Sequence, residues 1–356
     1  MQYTEPGGLI VGPDDPILVT GATGFIGPRL VANLVDRGFR NLRCLARPSN
    51  AVARLEALSK CGGGAARVDV IVGNLLSRED CMAAAKDAAV IFHLAAGRGE
   101  KSFPDAFLNS VVTTKNLLEA SLRHQCVRRF VNVSSFTVYS NAEKAGRLLD
   151  ETCPVEENPV KRGDPYCFAK VKQDEIVRQL GASLGIPYVI VRPGYVYGPG
   201  NEGITSRVGI STFGVFLHLG GSNTLPLTYV DNCVEAIALA GLRSGIEGEV
   251  FNVVDDDLPS SRRFLREYKK NVENFRSIYI PHAMSYVLCC LWERYSNWSE
   301  RQLPPVFNRR DWSATWKKTR YSNKKMKAGL GWKQKVSTAE GLRRHFEACR
   351  SRGRNA

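Results

Sequence analysis

Histidine is scarce, with five in 356 residues, and the ten cysteines are scattered without a single C-x-x-C pair. No His/Cys cluster stands at metal-ligand spacing, so zinc is excluded as the organising feature and no metal is assigned. Cys289 and Cys290 are adjacent, which suits neither an ordinary bridge nor a metal, so the expectation is reduced thiols in a cytoplasmic protein. Long apolar runs are lacking too: Ala283 to Trp292 covers ten residues, where crossing a bilayer takes ~20. Met1 to Pro16 has no basic region, apolar core and small-residue cleavage site in series, so residues 1–15 read as a short leader rather than a signal peptide. There is no internal repeat and no low-complexity linker. With 44% hydrophobic and 24% charged residues, a packed core is expected, in one large domain with a smaller lobe.

Acidic residues are outnumbered, leaving a formal net charge of +14 that gathers after Arg301. Arg309, Arg310, Lys317, Lys318, Arg320, Lys324, Lys325 and Lys327 lie close together, followed by Arg343, Arg344, Arg350, Arg352 and Arg354. Such an end suits anionic lipid, an anionic substrate or a solvated face. No nucleic-acid motif accompanies it, so nucleic acid is not assigned as a partner.

Against these absences stands the stretch that organises the chain, Pro16-Ile17-Leu18-Val19-Thr20-Gly21-Ala22-Thr23-Gly24-Phe25-Ile26-Gly27. An apolar strand feeds a glycine turn, and Leu30, Val31, Leu34 and Val35 then recur on one helical face. Gly21 suits the tight turn, Gly24 a close backbone approach to a pyrophosphate, and Gly27 helix–sheet packing. Thr23, Phe25 and Ile26 are assigned to the cofactor with them, at a helix N-terminus whose partial positive charge favours phosphate. The spacing G-x-x-G-x-x-G is one residue longer than G-x-G-x-x-G.

Asn41 to Arg47 is the expected second strand. An acidic residue at its end would hold the adenosine ribose of NAD. Ala46 and Arg47 stand there instead, with Arg43 nearby, so Arg47 tilts the expectation to NADP, with NAD as the alternative. Arg67 to Gly73 leads into Asn74-Leu75, where an adenine-contacting turn would fall. Ala88 to Ala96 ends in small residues, and Leu94, Ala95 and Ala96 leave room for a cofactor against the backbone. His93 has no paired ligand in sequence and is expected as a satisfied core histidine. A helix is expected from about Phe103 to His124, and Arg129 to Ser135 is the fifth strand, with Val133 at its end on the cofactor side. Tyr188 to Arg192 runs into Pro193-Gly194-Tyr195-Val196, where Pro193 and Val196 complete the cofactor set; Glu249 to Val254 returns to the sheet. Strands alternating with helices predict an α/β fold, a doubly wound parallel sheet over 16–200, with ligands at the carboxyl ends of its strands. Residues 201–345 are expected to form mostly a smaller C-terminal substrate lobe and 346–356 a basic tail.

Two further stretches carry chemistry. Tyr166 and Lys170 are four apart on one face of a predicted helix, and Ser134, Ser135 and Phe136 end the fifth strand. Removing an alcohol proton while hydride leaves carbon needs a base. A phenol titrating near 10 must come down by ~2–3 units to serve. Lys170 supplies the favourable charge, and Ser135 a hydrogen bond to the substrate oxygen, with Phe136 beside it lining the site.

Thr20 to Gly27, His93 to Ala96, Ser134-Ser135-x-x-Val138-Tyr139, Tyr166-x-x-x-Lys170, Arg192 to Gly200 and Tyr229-Val230-Asp231-Asn232 together resemble the extended short-chain dehydrogenase/reductase superfamily, of NAD-dependent epimerase/dehydratase type. The resemblance covers about residues 15–345. It implies a Rossmann domain, a nicotinamide cofactor and a Ser/Tyr/Lys catalytic group, with the serine role on Ser135 and an active-site asparagine on Asn109. Sugar-nucleotide epimerases usually carry an arginine before Tyr-Val-Asp; here Asn223 to Thr228 has no cation, and the segment looks more like the 3β-hydroxysteroid dehydrogenase-like branch. The leading expectation is therefore an NAD(P)-dependent oxidoreductase acting on a small-molecule secondary alcohol or ketone, apolar or isoprenoid-like. A nucleotide-sugar epimerase or dehydratase is the alternative, and a non-catalytic cofactor-binding scaffold the third. The run Ala283 to Trp292 could cover an apolar substrate, rest on a membrane surface beside the basic tail, or be buried in the lobe's own core. A homodimer is left open.

Overall fold

The structure, a computed structural model, describes residues 8–48, 55, 66–97, 102–141, 146–212, 214–299 and 307–355. The first seven leader residues and Arg301 lie outside the described residues. From the N-terminus, β1 (Ile17–Thr20) leads through the glycine turn to α1 (Gly27–Asp36), β2 (Asn41–Ala46), β3 (Arg67–Val72), α2 (Arg78–Ala85) and β4 (Val90–His93). The next helix opens as α3 (Phe103–Ala106), widens into a π-helical segment, Phe107–Val112, and continues as α4 (Thr113–Leu122). Then come β5 (Arg129–Val133), a short β6 (Leu148–Leu149), α5 (Pro159–Arg162), α6 (Pro165–Leu184) and β7 (Tyr188–Pro193). β8 (Tyr195–Tyr197), β9 (Gly209–Thr212), β10 (Val215–His218), β11 (Leu227–Tyr229), α7 (Val230–Leu242) and β12 (Val250–Val253) follow. The chain ends in α8 (Ser261–Asn271), β13 (Ser277–Tyr279), α9 (His282–Trp298), α10 (Arg309–Trp316), β14 (Arg320–Tyr321), α11 (Lys324–Leu330) and α12 (Thr338–Asn355).

Seven strands form one parallel sheet in the order β12-β7-β5-β4-β1-β2-β3. Its central strands are near-continuous apolar runs because both faces are covered. On one face Ile17, Val19, Val131 and Val191 pack under α1 and α7; on the other Leu18, Ile91, Phe130 and Ile190 meet α2, α4 and α6. The strand order reverses between β1 and β4, so the crevice at that switch point opens beyond the carboxyl ends, beside the glycine turn. The Rossmann architecture expected from the strand–helix alternation is present.

Part of residues 201–345 packs with the main sheet. Helix α7 and strand β12 belong to the main sheet and its cover, and Met326, Leu330 and Trp332 reach the same core. What remains is a three-stranded sheet, β13-β10-β9, packed with Phe264 of α8 and with Leu342 and Phe346 of α12. Residues 346–355 continue α12 rather than trailing as a tail, and several basic residues of this end are spent on local carboxylates: Lys325 on Glu249, Lys327 on Asp256, Arg343 on Glu340 and Arg352 on Glu202. Leu9 to Asp15 is also held, with Ile10 N–H donating to Leu242 and Arg128 paired with Asp15. The nine described cysteines are free thiols.

Candidate active site

The glycine turn is shaped by what a side chain would hit. Gly21 has φ +68°, and a Cβ there would lie 2.7 Å from the Ala95 nitrogen and 2.9 Å from the Leu94 carbonyl carbon, so the ends of β1 and β4 approach too closely for any other residue. At Gly27 a Cβ would stand 2.5 Å from the Gly21 oxygen. The Gly24 N–H donates to the Gly21 carbonyl at 3.0 Å, closing the turn. Helix α1 starts with Pro28 in its first turn and Ile26 as a cap that offers no side-chain hydrogen bond. The first-turn N–H groups thus have no capping side chain, the arrangement that receives an anion. Thr23, Phe25 and Ile26 are half-buried around it. Arg29 holds the turn to the loop after β8, donating to the Phe25 carbonyl at 3.0 Å and the Pro199 carbonyl at 2.6 Å, with its guanidinium 5.1 Å from the Phe25 ring centre. This cradle fits the pyrophosphate of a dinucleotide.

Along the same edge, Ala46 is buried and Arg47 exposed at the end of β2. Arg43 is turned elsewhere, donating to the Lys86 carbonyl beyond α2. Asn74 forms a fixed turn: its N–H donates to Asp80 at 2.7 Å and its side-chain oxygen accepts from Leu76 N–H at 3.0 Å. The Leu75 carbonyl accepts from Asn116 of α4 at 3.0 Å. Leu94, Ala95 and Ala96 are half-buried at the end of β4. Pro193 is buried at the end of β7, and Val196 is half-buried in β8.

Helix α6 carries both Tyr166 and Lys170. Asp164 caps it by accepting from the Tyr166 N–H at 2.9 Å, which sets where the first turn begins. One turn on, Lys170 is buried, and its ammonium donates to the Val133 carbonyl at 2.7 Å and to Gln173 Oε1 at 2.9 Å. Val133 is two residues before Ser135, so this bond ties the Tyr/Lys helix to the serine end of β5. Burial pulls the Lys170 pKa down to about 8 against the opposing charge of Asp174. Ser134 is 3% exposed whereas Ser135 is half-buried, so Ser135 is the more accessible hydroxyl. Its oxygen accepts from the Thr137 N–H at 3.2 Å, which leaves its own proton available to donate. Phe136 is buried beside it, stacked at 5.6 Å on Tyr321 of β14. Asn109 is half-buried in the π-helical segment, a departure from the regular helix expected over 103–124. Phe168 of α6 packs at 5.3 Å on Phe103 and 6.5 Å on Phe107, fixing that segment against the helix carrying Tyr166.

Behind the lysine lies a buried polar chain that sequence reasoning did not find. His93 is inaccessible, as expected of a core residue, with Nδ1 2.8 Å from the Thr20 hydroxyl and Nε2 2.9 Å from the Thr114 hydroxyl. Gln173 Nε2 donates to Thr114 at 2.8 Å while its oxygen holds Lys170. Burial, and then the charge of Lys170, lower the His93 pKa to about 3, so the ring is neutral at ordinary pH. Gln173 was findable in principle, being three residues from Lys170 on the same face. Thr114 and two further supports carried no local signal. Arg192 donates to Asp174 at 2.9 Å and 3.1 Å, locking α6 to β7. Arg162 donates to the Thr137 carbonyl at 2.5 Å and pairs with Asp311 of α10 at 3.2 Å, holding the loop after Ser135 to the lobe. Among the described residues no group of three or more His, Cys, Asp or Glu could hold a metal ion.

Residues 17–253 match the NAD dependent epimerase/dehydratase family. A 4-hydroxy-2-methyl-3-oxo-4-farnesyl-3,4-dihydroquinoline-1-oxide ketoreductase of Stigmatella aurantiaca is 27% identical over 249 residues, 69% of this chain and 70% of that protein. A trifunctional UDP-glucose 4,6-dehydratase, 3,5-epimerase and reductase of Arabidopsis thaliana is 26% identical over 256 residues, 67% of this chain but only 36% of that protein. In fold, the chain is similar to the crystal structure of UDP-glucuronic acid 4-epimerase from Bacillus cereus in complex with NAD, with TM-score 0.68, 21% identity and coverage of 94% of this chain and 99% of that one.

Proposed function

The chain belongs to the NAD dependent epimerase/dehydratase family and is an enzyme of the oxidoreductase type that family comprises, and from that premise we propose that it exchanges hydride between a nicotinamide cofactor and an apolar secondary alcohol or ketone. The observation that carries the reading is the bond from Lys170 Nζ to the Val133 carbonyl, which sets the Tyr166 helix against the end of β5 where Ser135 stands. The glycine cradle from Gly21 to Gly27 would hold the pyrophosphate, Leu94 to Ala96 would line the bound dinucleotide, and Lys170 would meet its ribose hydroxyls. The cofactor supplies the hydride donor or acceptor. Tyr166 transfers the proton at the substrate oxygen, Ser135 donates a hydrogen bond to that oxygen, and the Lys170 ammonium favours the phenolate through its charge. A low-dielectric surround strengthens this charge effect, since Lys170 is buried.

Two observations favour an apolar substrate over a nucleotide sugar. The segment before Tyr229 offers no cation: Leu225 and Leu227 are buried, and the Asn223 amide is spent on the Trp316 carbonyl. The Stigmatella relative is by its name a ketoreductase of a farnesylated quinoline. The test is incubation with reduced nicotinamide cofactor and an apolar ketone, followed by nicotinamide absorbance. Net oxidation of the cofactor is expected. Turnover of a UDP-sugar without net change in the cofactor would replace this reading with an epimerase, and cofactor binding with neither reaction would replace it with a scaffold.

A further inference from the structure

The apolar run that opens α9 is not buried in the lobe. The helix turns its small residues inward: Ser285, Cys289 and Ser296 are buried, and Ser285 accepts from the Trp312 indole of α10 at 2.9 Å. Its large apolar residues face outward. Met284, Val287, Leu288, Leu291, Tyr295 and Trp298 are 46–79% exposed, and at 100° per residue they fall within an arc of about 100°. Folding usually buries such a stripe, so its exposure calls for a partner.

The surroundings say which. Just before α9 in the chain, β13 is an edge strand whose Ile278 and Tyr279 are also exposed, and Arg262 of α8 lies 5.5 Å from the Tyr279 ring centre. Between residues 261 and 299 there are seven Lys or Arg against three Glu. The one carboxylate on α9, Glu293, is paired with Arg309 at 2.9 Å. Two copies meeting here would bring cationic margins together, whereas an anionic surface would neutralise them. Tyr and Trp beside Leu and Met, with basic residues at the margin, is the composition of a helix lying in a lipid headgroup region. Among the described residues no helix is long and apolar enough to cross a membrane, so α9 would lie along the surface.

We propose that α9 and β13 form a docking face for an anionic lipid bilayer, with the stripe inserted among the acyl chains and the α8 cations at the headgroups. This does not depend on the substrate proposed above. The full-length protein should sediment with phosphatidylcholine vesicles containing phosphatidylglycerol, less with phosphatidylcholine alone, and less at high salt. Leu288→Asp with Leu291→Asp should lower the partition at least ~10-fold, and Trp298→Ala should lower it in the same direction. Arg266→Gln with Lys270→Gln should remove the preference for anionic vesicles. Leu184→Asp, an exposed apolar site elsewhere (39% exposed, against 53% for Leu288 and 58% for Leu291), should change nothing, and all variants should keep the wild-type melting temperature. The proposal is overturned if the wild type fails to sediment at low salt or if Leu184→Asp loses as much binding. It is equally overturned if the wild type is a dimer that the double aspartate variant turns into a monomer, since a second copy would then cover the stripe.

Discussion

The Lys170 ammonium reaches the Val133 carbonyl oxygen at 2.7 Å and so fixes one helix face against one strand end. Because the bond needs the protonated amine as a strong donor, the alkaline side of the pH profile should report on it. Lys170 has its pKa lowered to about 8 by burial. Below that pH the ammonium is present and favours a Tyr166 phenolate; above it the charge is lost. Turnover should therefore fall as pH rises through about 8. The stability sign is opposite: an exposed lysine in the unfolded chain titrates near ~10.4. Between about 8 and there the unfolded state holds more protons, so the penalty of the buried charge is relieved as pH rises and stability increases. A kcat–pH profile with a melting series across the same range checks both directions.

Gln173 sets the second bond to that ammonium, at 2.9 Å. Gln173→Glu would place a carboxylate there and raise the Lys170 pKa, moving the alkaline limb of the profile to higher pH. A merely structural role would lower the melting temperature and leave the limb in place.

Tyr166→Phe keeps the ring on α6 and removes the group assigned to proton transfer. Turnover should fall by ~100-fold or more while cofactor titration is little changed. Near-normal turnover would remove the proposed mechanism.

Much of this site was legible because its parts are local. The glycine turn, the small residues ending β4, and the four-residue spacing of Tyr166 and Lys170 each depend on neighbours in sequence. The supports are not local: Asp174 meets Arg192 across α6 and β7, and Arg162 meets Asp311 across 149 residues. Pairings of that kind follow from topology, which periodicity does not specify. Which way the run Ala283 to Trp292 faces was left open for a related reason. An apolar run predicts burial only if its residues face inward, and in α9 the inward positions fell to serine and cysteine. Likewise α7 and α11 are late in the chain but cover the main sheet, which chain order alone does not indicate.

Gly21 is the position where backbone geometry alone should decide the outcome. Gly21→Ala must accept φ +68° and a Cβ 2.7 Å from the Ala95 nitrogen. The strain costs ~1–3 kcal/mol, enough to lower the melting temperature by ~1–4 °C in a chain of this size. Cofactor affinity should fall with it, since relief requires β1 and β4 to separate at the cradle. Calorimetry with and without cofactor measures both, and an unchanged melting temperature would mean the turn can relax.

In the proposed reading, Arg47 is the determinant of cofactor choice. The buried Ala46 before it offers no carboxylate to bind the ribose hydroxyls of NAD or to repel a 2′-phosphate, and the exposed guanidinium of Arg47 is a fork of donors suited to phosphate oxygens. One charge-assisted contact at such a site is worth ~1.5–3 kcal/mol, so NADP should bind roughly 10- to 100-fold more tightly than NAD. Arg47→Ala should weaken NADP alone and erase most of the gap. Arg47→Glu should reverse it, by repelling the phosphate and accepting from the ribose. The opposing consideration is the B. cereus epimerase of similar fold, whose structure holds NAD. At 21% identity that likeness does not extend to the residue ending a strand, so parallel titrations of the wild type and both variants decide between them. Equal affinities, or tighter NAD, would show that Arg47 lies along the surface and covers the adenine with its stem.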